Sequence, residues 1–539
     1  MSLAERWVTN TLDNLSLEAR VGQMMMVGFD GLEAPAYVRD WLAAGRVGSI
    51  VLFARNVASP AQVAELTASL RAAAPLPILI CTDQEGGIVA RLRRPFTESP
   101  GNMALGAIAG SDAPELVENV SAILAREMRA VGIDWNLAPC LDILHKLDNP
   151  AISLRAFGAD PDRAAVLGAA VVRGLQRAGV AACAKHFPGH GNTTVDSHLD
   201  LPAIAADLEQ LKACDLKPFA AAIDAGVATV MAAHILFPAL DPERPATLSP
   251  AIQQGLLRAQ MGFDGVISTD CMEMKAVADR YGAGESTVLA ILAGTDSVVH
   301  SHTPQRQEEA YEATLAAVRS GRLPEARVTE SARRLLRLKA RFVRDAEAVP
   351  SDAVGSDAAV GSDAHQAVMR EAARRALTMV RGAIPAVDPR RAALVEFTFA
   401  IGSQAEDVRA DTELGEALAA RFRDLRRVAL PSAAPPDDLV AAARRLAEAA
   451  DPLIIATRSA SLSDAQRAFA QDLLEIAHAR SHETLLVCLR NPWDAALFPE
   501  AANVLASLGD AWPSLAAVAD ALAGATQPTG QLPLILPGV

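Results

Sequence analysis

The 539-residue sequence is long enough to form two or three domains, each with a sizeable hydrophobic core. Hydrophobic residues make up 51% of it and charged residues 21%, and this apolar content excludes a predominantly disordered chain. The formal net charge of −14 and the pI of about 5.3 argue against nucleic acid or an anionic membrane as the main partner.

The N-terminal segment, MSLAERWVTNTLDNLSLEAR, lacks an apolar core of signal-peptide length. No uninterrupted apolar stretch of the sequence reaches the ~20 residues that span a bilayer. We therefore expect a cytoplasmic protein that does not insert into a membrane. The six cysteines form no CxxC pair, which disfavours a zinc or redox motif.

Residues 1–345 alternate short apolar runs with longer segments of helical periodicity. Continuous apolar runs are typical of parallel strands buried on both faces, and segments such as PAQVAELTASLRAAA carry apolar residues at helical spacing. Eight such strands predict an α/β fold, a (β/α)8 TIM-like barrel, with an open doubly wound sheet as the alternative. The predicted strands are 23–29, 49–53, 77–83, 135–143, 182–188, 229–234, 265–270 and 296–300.

Polar side chains at the ends of several predicted strands favour the barrel over the open sheet. In a barrel the carboxyl ends of all strands converge on one face, where active sites are found. The alternative explanation, that strands simply end at polar residues, accounts for each case taken alone. It poorly explains a Lys-His pair directly after an apolar strand. The residues concerned are Asp83, Asp142, Lys185, His186, His234, Asp270 and His300.

The barrel pattern ends near residue 345. Residues 346–365 repeat VGSDA and are rich in small and polar residues, as expected of a linker. Residues 366–539 are predicted to form a smaller C-terminal α/β sandwich domain, without a dense cluster of reactive residues. Its strand candidates are 392–400, 427–431, 452–458, 484–492 and 503–509.

The densest group of reactive residues is KHFPGHGNTTVDSH, residues 185–198. Its glycines and proline predict a loop after a strand. Asp196 and His198 are two residues apart, close enough for the carboxylate to hold the imidazole in one tautomer for proton transfer. A catalytic metal is the other interpretation, but His186, His190 and His198 lack the i, i+4 spacing of many zinc enzymes, so we predict no metal.

Carboxylates and arginines elsewhere in residues 1–345 suit carbohydrate chemistry. Asp270 ends the strand GVISTD, where a carboxylate is suited to stabilise and then bond an oxocarbenium-like centre. Asp83 and Arg91 flank a Gly-Gly turn and are suited to bind neighbouring hydroxyls of a sugar. Arg155 is suited to hold a hydroxyl or carbonyl, although alone it would more often be a surface arginine in an ion pair.

Five motifs together resemble glycoside hydrolase family 3, most closely its NagZ-like β-N-acetylglucosaminidase (β-hexosaminidase) branch. They occur in the expected order over about residues 15–345, and the KHFPGHG…DSH string is highly specific. The second domain is similar, more loosely, to the α/β sandwich of that family. The motifs are DQEGGIVARL, DNPAISLRAFG, KHFPGHGNTTVDSHLDLP, VMAAHILFPALDPERPATLS and GFDGVISTDCMEM.

The resemblance implies a role for each candidate residue. Asp270 would be the nucleophile that forms a glycosyl-enzyme intermediate, and His198, oriented by Asp196, would be the acid/base, with net retention. The remaining residues would hydrogen-bond the terminal N-acetylglucosamine of a small carbohydrate, with peptidoglycan fragments as the expected source and no metal or organic cofactor. These binding residues are Asp83, Arg91, Arg155, Lys185 and His186.

The resemblance leaves other functions open. A β-N-acetylglucosaminide phosphorylase could use the same residues. A β-glucosidase is the other enzymatic alternative, because the β-glucosidases of the family have a carboxylate acid/base, often from the second domain. A sugar-binding protein without catalysis is the non-enzymatic alternative. Asn192 stands where the branch often has Asp, and Cys271 where Asp or Ala is common. The oligomeric state and the role of His190 are not indicated by the sequence.

Overall fold

The computed structural model describes residues 2–193, 201–344, 360–398, 406, 414–432 and 435–536. Eight parallel strands, β1–β8, form a closed barrel in which each strand pairs with the next along the chain and β8 pairs with β1. This arrangement confirms the predicted TIM-like barrel. The strands are β1 Met25–Val27, β2 Ser49–Leu52, β3 Leu79–Thr82, β4 Trp135–Asn136, β5 Ala181–Phe187, β6 Thr229–Ala232, β7 Val266–Cys271 and β8 Ser297–His300.

The barrel strands are buried on both faces, which explains why they appear in the sequence as unbroken apolar runs. One set of their side chains fills the barrel interior, where the Trp135 indole Nε1 donates a 3.0 Å hydrogen bond to Thr229 Oγ1. These two residues lie on β4 and β6, which β5 separates, so the bond crosses the interior. The barrel interior is therefore a packed core, and a ligand is expected at the carboxyl ends of the strands.

Helices pack around the barrel, and their starts follow capping rules. Ser59 precedes Pro60–Ala73 and its hydroxyl accepts from Gln62 N, and Asp160 caps Pro161–Arg177 in the same way. The helices of this part are α1 Leu3–Asp13, α2 Leu17–Met24, α3 Ala36–Ala43, α4 Pro60–Ala73, α5 Asn102–Ala107, α6 Ala113–Ala130, α7 Pro161–Arg177, α8 Leu208–Ala213, α9 Leu216–Asp224, α10 Lys275–Tyr281, α11 Ala283–Ala293, α12 Pro304–Arg319 and α13 Glu325–Lys339, with π-helical turns at Ala251–Gln260 and Ala340–Arg344.

A second, six-stranded sheet follows in the order β9-β14-β13-β12-β10-β11. The first strand, β9, is antiparallel to β14 and was not predicted from the sequence, whereas the other neighbours are parallel. The strands are β9 Thr378–Arg381, β10 Ala393–Thr398, β11 Arg426–Pro431, β12 Leu453–Thr457, β13 Thr484–Cys488 and β14 Val504–Ala506. The helices are α14 Asp363–Ala376, α15 Leu414–Ala419, α16 Asp437–Ala449, α17 Asp464–Ala479 and α18 Trp512–Leu522.

The two parts of the chain contact each other through buried polar groups. Glu127 on α6 accepts hydrogen bonds from Gly361 N at 2.9 Å and faces His365 Nδ1 at 2.7 Å. Near the barrel rim, the carboxylate of Glu98 accepts from the backbone N–H of Trp512 at 3.1 Å. These contacts join the starts of α14 and α18 to the barrel part of the chain. Among the described helices, none is long and apolar enough to cross a membrane.

Candidate active site

A cavity of about 290 Å³ opens at the carboxyl ends of the barrel strands, near the volume of a small-ligand pocket. Its floor is apolar and its walls carry acidic and basic side chains. Six of the eight sequence-predicted site residues line it, although they come from four separate segments. The lining residues are Val51, Phe53, Arg55, Asp83, Glu85, Val89, Arg91, Leu137, Arg155, Lys185, His186, Met231, Asp270, Cys271, Met274, Val299, Ser301, His302 and Glu406.

A network of buried charges forms one wall of the cavity. The Glu85 carboxylate, 1% exposed, receives two hydrogen bonds from Arg155, from Nε at 2.9 Å and from Nη2 at 2.7 Å. Lys185 Nζ lies 2.7 Å from Glu85 Oε1 and 2.6 Å from Asp83 Oδ1. Arg91 Nη2 reaches Asp83 Oδ2 at 3.4 Å. Two carboxylates and three cations thus hold one another in place.

Burial and pairing have opposite effects on these groups, and pairing dominates. Burial raises the pKa of Glu85, but the charges of Arg155 and Lys185 outweigh it and hold that pKa well below its usual range. The pKa of Asp83 is lowered in the same way, by Lys185 and Arg91 against burial. Although burial alone would lower the pKa of Lys185, the two carboxylates raise it. The network therefore stays ionised and presents fixed donors and acceptors to a ligand.

A second buried carboxylate, Asp142, orients the histidines that follow β5. Its Oδ2 lies 2.7 Å from His186 Nδ1, and its Oδ1 accepts from the backbone N–H of His190 at 2.6 Å. Burial raises the pKa of Asp142, but His186 and His190 offset this and lower it to about 2. Because Nδ1 donates to Asp142, His186 Nε2 is directed towards the cavity, 4.0 Å from Asp270 Oδ2.

His190 holds two segments of the site together, a role that was not assigned from the sequence. Its backbone N–H binds Asp142, its carbonyl accepts from Asn149 Nδ2 at 3.0 Å, and its ring packs edge-on against His186 at 5.7 Å between centroids. Burial lowers the pKa of His190 to about 4, so the ring is neutral at physiological pH. These contacts fix the segment after β5 against the loop after β4.

Asp270 lies at the end of β7 with 26% of its side chain exposed to the cavity. Its Oδ1 accepts from the backbone N–H of Cys271 at 2.7 Å, which leaves Oδ2 on the side of His186. The carbonyl of Cys271 is in turn 3.0 Å from Nε2 of the buried His234. The hydrogen bond from the Cys271 backbone therefore fixes the direction of this carboxylate, and His234 holds the same peptide segment in place.

Cys271, beside Asp270, is half-buried and its Sγ lies 2.9 Å from Ser301 Oγ. Burial raises the pKa of this thiol to about 11. Since the thiolate is the reactive form, Cys271 is a poor nucleophile at neutral pH despite its position in the cavity wall.

The sequence-predicted pair Asp196 and His198 lies outside the described residues. The described chain ends at Thr193, three residues before Asp196, and resumes at residue 201. Thr193 is anchored close to His190, with its Oγ1 3.3 Å from the His190 carbonyl.

Three residues of the site were not assigned a role from the sequence. Glu85 lies in the DQEGGIVARL motif and Asp142 at the end of a predicted strand, but the partners that reveal their roles come from segments far away in the chain. Glu406 belongs to the C-terminal part and lines the cavity, where Arg490 Nη2 contacts its Oε2 at 2.5 Å. The sequence around residue 406 carries no signal for this position.

Cys140, Asp142 and His186 bring three possible metal-ligand atoms within 4.8 Å of one another. All three residues are buried, and Cys140 Sγ is 3.2 Å from the Asp142 carboxylate that already binds His186. We assign this group as a hydrogen-bonded support for His186.

Residues 16–338 match the model of the glycosyl hydrolase family 3 N-terminal domain. A β-hexosaminidase of Stenotrophomonas maltophilia strain R551-3 is 42% identical over 293 residues, which cover 54% of this chain and 86% of that protein. The structure is similar to a family 3 β-N-acetylglucosaminidase from Paenibacillus sp. str. FPU-7, with a TM-score of 0.90 and 38% identity. That match covers 97% of this chain and 100% of the other.

The fold is also shared with more distant proteins. A β-glucosidase from Listeria innocua superposes with a TM-score of 0.77 over 100% of this chain and 76% of that chain. Its sequence identity is 19%, so this likeness shows the fold alone.

Replacing Asp142 tests whether it acts as a positioning residue. Asp142→Asn keeps the size of the side chain but removes the charge that holds His186 Nδ1–H and the His190 N–H. Loss of charge-assisted hydrogen bonds worth about 1.5–3 kcal/mol should lower kcat/KM on a β-N-acetylglucosaminide by ~10- to 100-fold. The exposed Asp148 of the same loop provides the control, because Asp148→Asn should leave kcat/KM near the wild-type value. Wild-type kcat/KM in Asp142→Asn would contradict the assigned role.

Proposed function

This chain belongs to glycosyl hydrolase family 3, and we propose that it is a retaining exo-β-N-acetylglucosaminidase. It would hydrolyse the terminal β-linked N-acetylglucosamine of a small carbohydrate. The observation that carries this proposal is the position of Asp270, a directed and partly exposed carboxylate facing a cavity walled by an ionised hydrogen-bonding network. The names of the relatives at 38–42% identity support the choice of sugar.

The buried network is suited to bind the hydroxyls of one sugar ring. Asp83 offers carboxylate oxygens, while Lys185, Arg91 and Arg155 offer N–H donors, and His186 offers Nε2. Each of these groups is already held by its neighbours, so little conformational freedom is lost when the sugar binds. The cavity volume of about 290 Å³ is suited to a single sugar residue, which favours cleavage of a terminal one.

In the proposed first step, Asp270 Oδ2 attacks the anomeric carbon as the bond to the leaving oxygen breaks. His198, oriented by Asp196, donates a proton to that oxygen, and a glycosyl ester on Asp270 results. In the second step the neutral His198 takes a proton from water, whose oxygen displaces the carboxylate. Two inversions at one carbon give net retention, and the enzyme returns to its starting protonation state.

We further propose that residues 1–345 form the catalytic domain, 346–365 the linker and 366–539 the sandwich domain. Peptidoglycan fragments in the cytoplasm are the proposed substrate. The resemblance of the motifs to the NagZ-like branch supports this choice of substrate. The helix α14 begins at Asp363, inside the proposed linker range, and most of the rest of that range lies outside the described residues.

A second candidate function is that of a β-glucosidase with a carboxylate acid/base. Glu406 favours it, since this carboxylate comes from the C-terminal part of the chain and lines the cavity. However, the ion pair with the buried Arg490 guanidinium stabilises the charged carboxylate, whereas a general acid must carry a proton. We therefore favour His198 as the acid/base.

The products of the reaction test the proposed function. The protein should cleave 4-nitrophenyl N-acetyl-β-glucosaminide much faster than the corresponding glucoside, and should release free N-acetylglucosamine in the β configuration first. Adding inorganic phosphate should leave the products unchanged. Formation of N-acetylglucosamine 1-phosphate would establish a phosphorylase instead, and preference for the glucoside would refute the choice of sugar.

The leaving group distinguishes the two candidate acids. Nitrophenolate leaves without protonation, whereas a sugar hydroxyl needs a proton to leave. Loss of the acid should therefore lower the rate of cleavage of a disaccharide of N-acetylglucosamine more than that of the nitrophenyl substrate. We expect kcat/KM of His198→Ala to fall ~100-fold or more on the disaccharide. On the nitrophenyl substrate the factor by which kcat/KM falls should be at least ~10 times smaller. Glu406→Gln should show no such difference between the substrates. The opposite pattern would identify Glu406 as the acid.

A further inference from the structure

A second cluster of metal-ligating side chains lies outside the cavity. His145, in the loop after β4, is joined there by Cys214 and Asp215, which connect α8 to α9. One ligand atom from each residue lies within 4.8 Å of the other two. This cluster could not be predicted from the sequence, because its two segments are 69 residues apart and contain no CxxC or HxxxH pattern.

Two of the three separations are close to those between ligands of a tetrahedral zinc ion. Asp215 Oδ1 is 2.9 Å and Cys214 Sγ is 3.8 Å from His145 Nε2. Tetrahedral Zn²⁺ with usual bond lengths requires separations of about 3.4 Å between nitrogen and oxygen and about 3.6 Å between nitrogen and sulfur. The two separations therefore differ from these values by roughly half an ångström or less, and the Asp215 carboxylate lies within 4.8 Å of Cys214 Sγ.

We propose that His145, Cys214 and Asp215 form a Zn²⁺ site with a fourth position open to water or an external ligand. Imidazole, thiolate and carboxylate are the three side-chain ligands that zinc prefers, and together they offset the double positive charge of the ion. On binding, Zn²⁺ replaces the proton of the Cys214 thiol and any proton on His145 Nε2, and both protons leave to solvent.

The site is accessible from solvent and close to the candidate active site. His145 is exposed and Cys214 half-buried, so the ion can enter without unfolding of the chain. A Cβ atom on Gly189 would lie 3.0 Å from Asp215 Oδ1, so the segment after β5 passes directly against the cluster. Bound Zn²⁺ would therefore link the loop after β4 to the start of α9, on either side of the segment that leads to Asp196 and His198.

The neighbouring cation does not oppose the metal strongly. Lys217, two residues after Asp215, places its Nζ 2.7 Å from Asp162 Oδ1. This ion pair partly offsets the positive charge at the edge of the cluster. The proposal does not depend on the glycosidase function, since none of the three ligands lines the cavity.

Zinc binding by the full chain tests the proposal. The protein is treated with a chelator, dialysed, and titrated with ZnCl2 in an isothermal calorimeter. We expect one equivalent of Zn²⁺ to bind, and His145→Ala and Cys214→Ser to weaken it at least ~10-fold each, as loss of even an outer-shell partner costs 10- to 100-fold. His478→Ala removes an exposed histidine in the C-terminal part and serves as the matched control. The melting temperatures of the metal-free variants report whether each variant folds.

Co²⁺ spectroscopy and labelling with a thiol reagent test directly whether Cys214 is a ligand of the metal. Co²⁺ should produce a thiolate charge-transfer band that is absent in Cys214→Ser, and Zn²⁺ should slow labelling of Cys214 in the wild-type chain. Absence of binding, or binding that persists in both ligand variants, would overturn the proposal. In that case the cluster is a His145–Asp215 ion pair beside a cysteine.

Discussion

Glu85 is an anion almost fully removed from solvent, and the donors of Arg155 and Lys185 surround it. A buried charge of this kind costs several kcal/mol unless its partners are fixed in good geometry. The partners come from the loop after β4 and from β5, while Glu85 itself follows β3. The ion-pair network therefore depends on correct closure of the barrel, and in return it fixes the wall against which a ligand binds. Asp83 and Arg91 extend the same network to the cavity.

The barrel and the position of most site residues could be predicted from the sequence because their signals are local. Unbroken apolar runs reveal strands buried on both faces, and a polar residue directly after such a run faces the upper end of the barrel. The roles of Glu85 and Asp142 are not local, since each depends on partners 44 to 100 residues away that only the fold brings together. The edge strand β9 was missed because four residues directly after a helix carry too short a pattern.

The C-terminal part is more than a support for the barrel. Through Glu406 it completes the wall of the cavity, and the buried Arg490 that contacts Glu406 also approaches Asp510, with 3.3 Å between Nε and Oδ2. A carboxylate held in this way is suited to accept hydrogen bonds from a ligand in the cavity. This position could not be predicted from the sequence, since the segment contains neither a repeat nor a motif that marks it.

Asp270 is central to the account, and covalent trapping tests it most directly. The full chain would be incubated with an activated 5-fluoro-N-acetylglucosaminyl donor, which slows breakdown of a glycosyl ester more than its formation, and then digested for mass spectrometry. We expect one labelled tryptic peptide, 259–275, with the sugar on the Asp270 carboxylate. A label on Asp83, Glu85 or Glu406, or continued turnover of the donor without any labelled peptide, would contradict it.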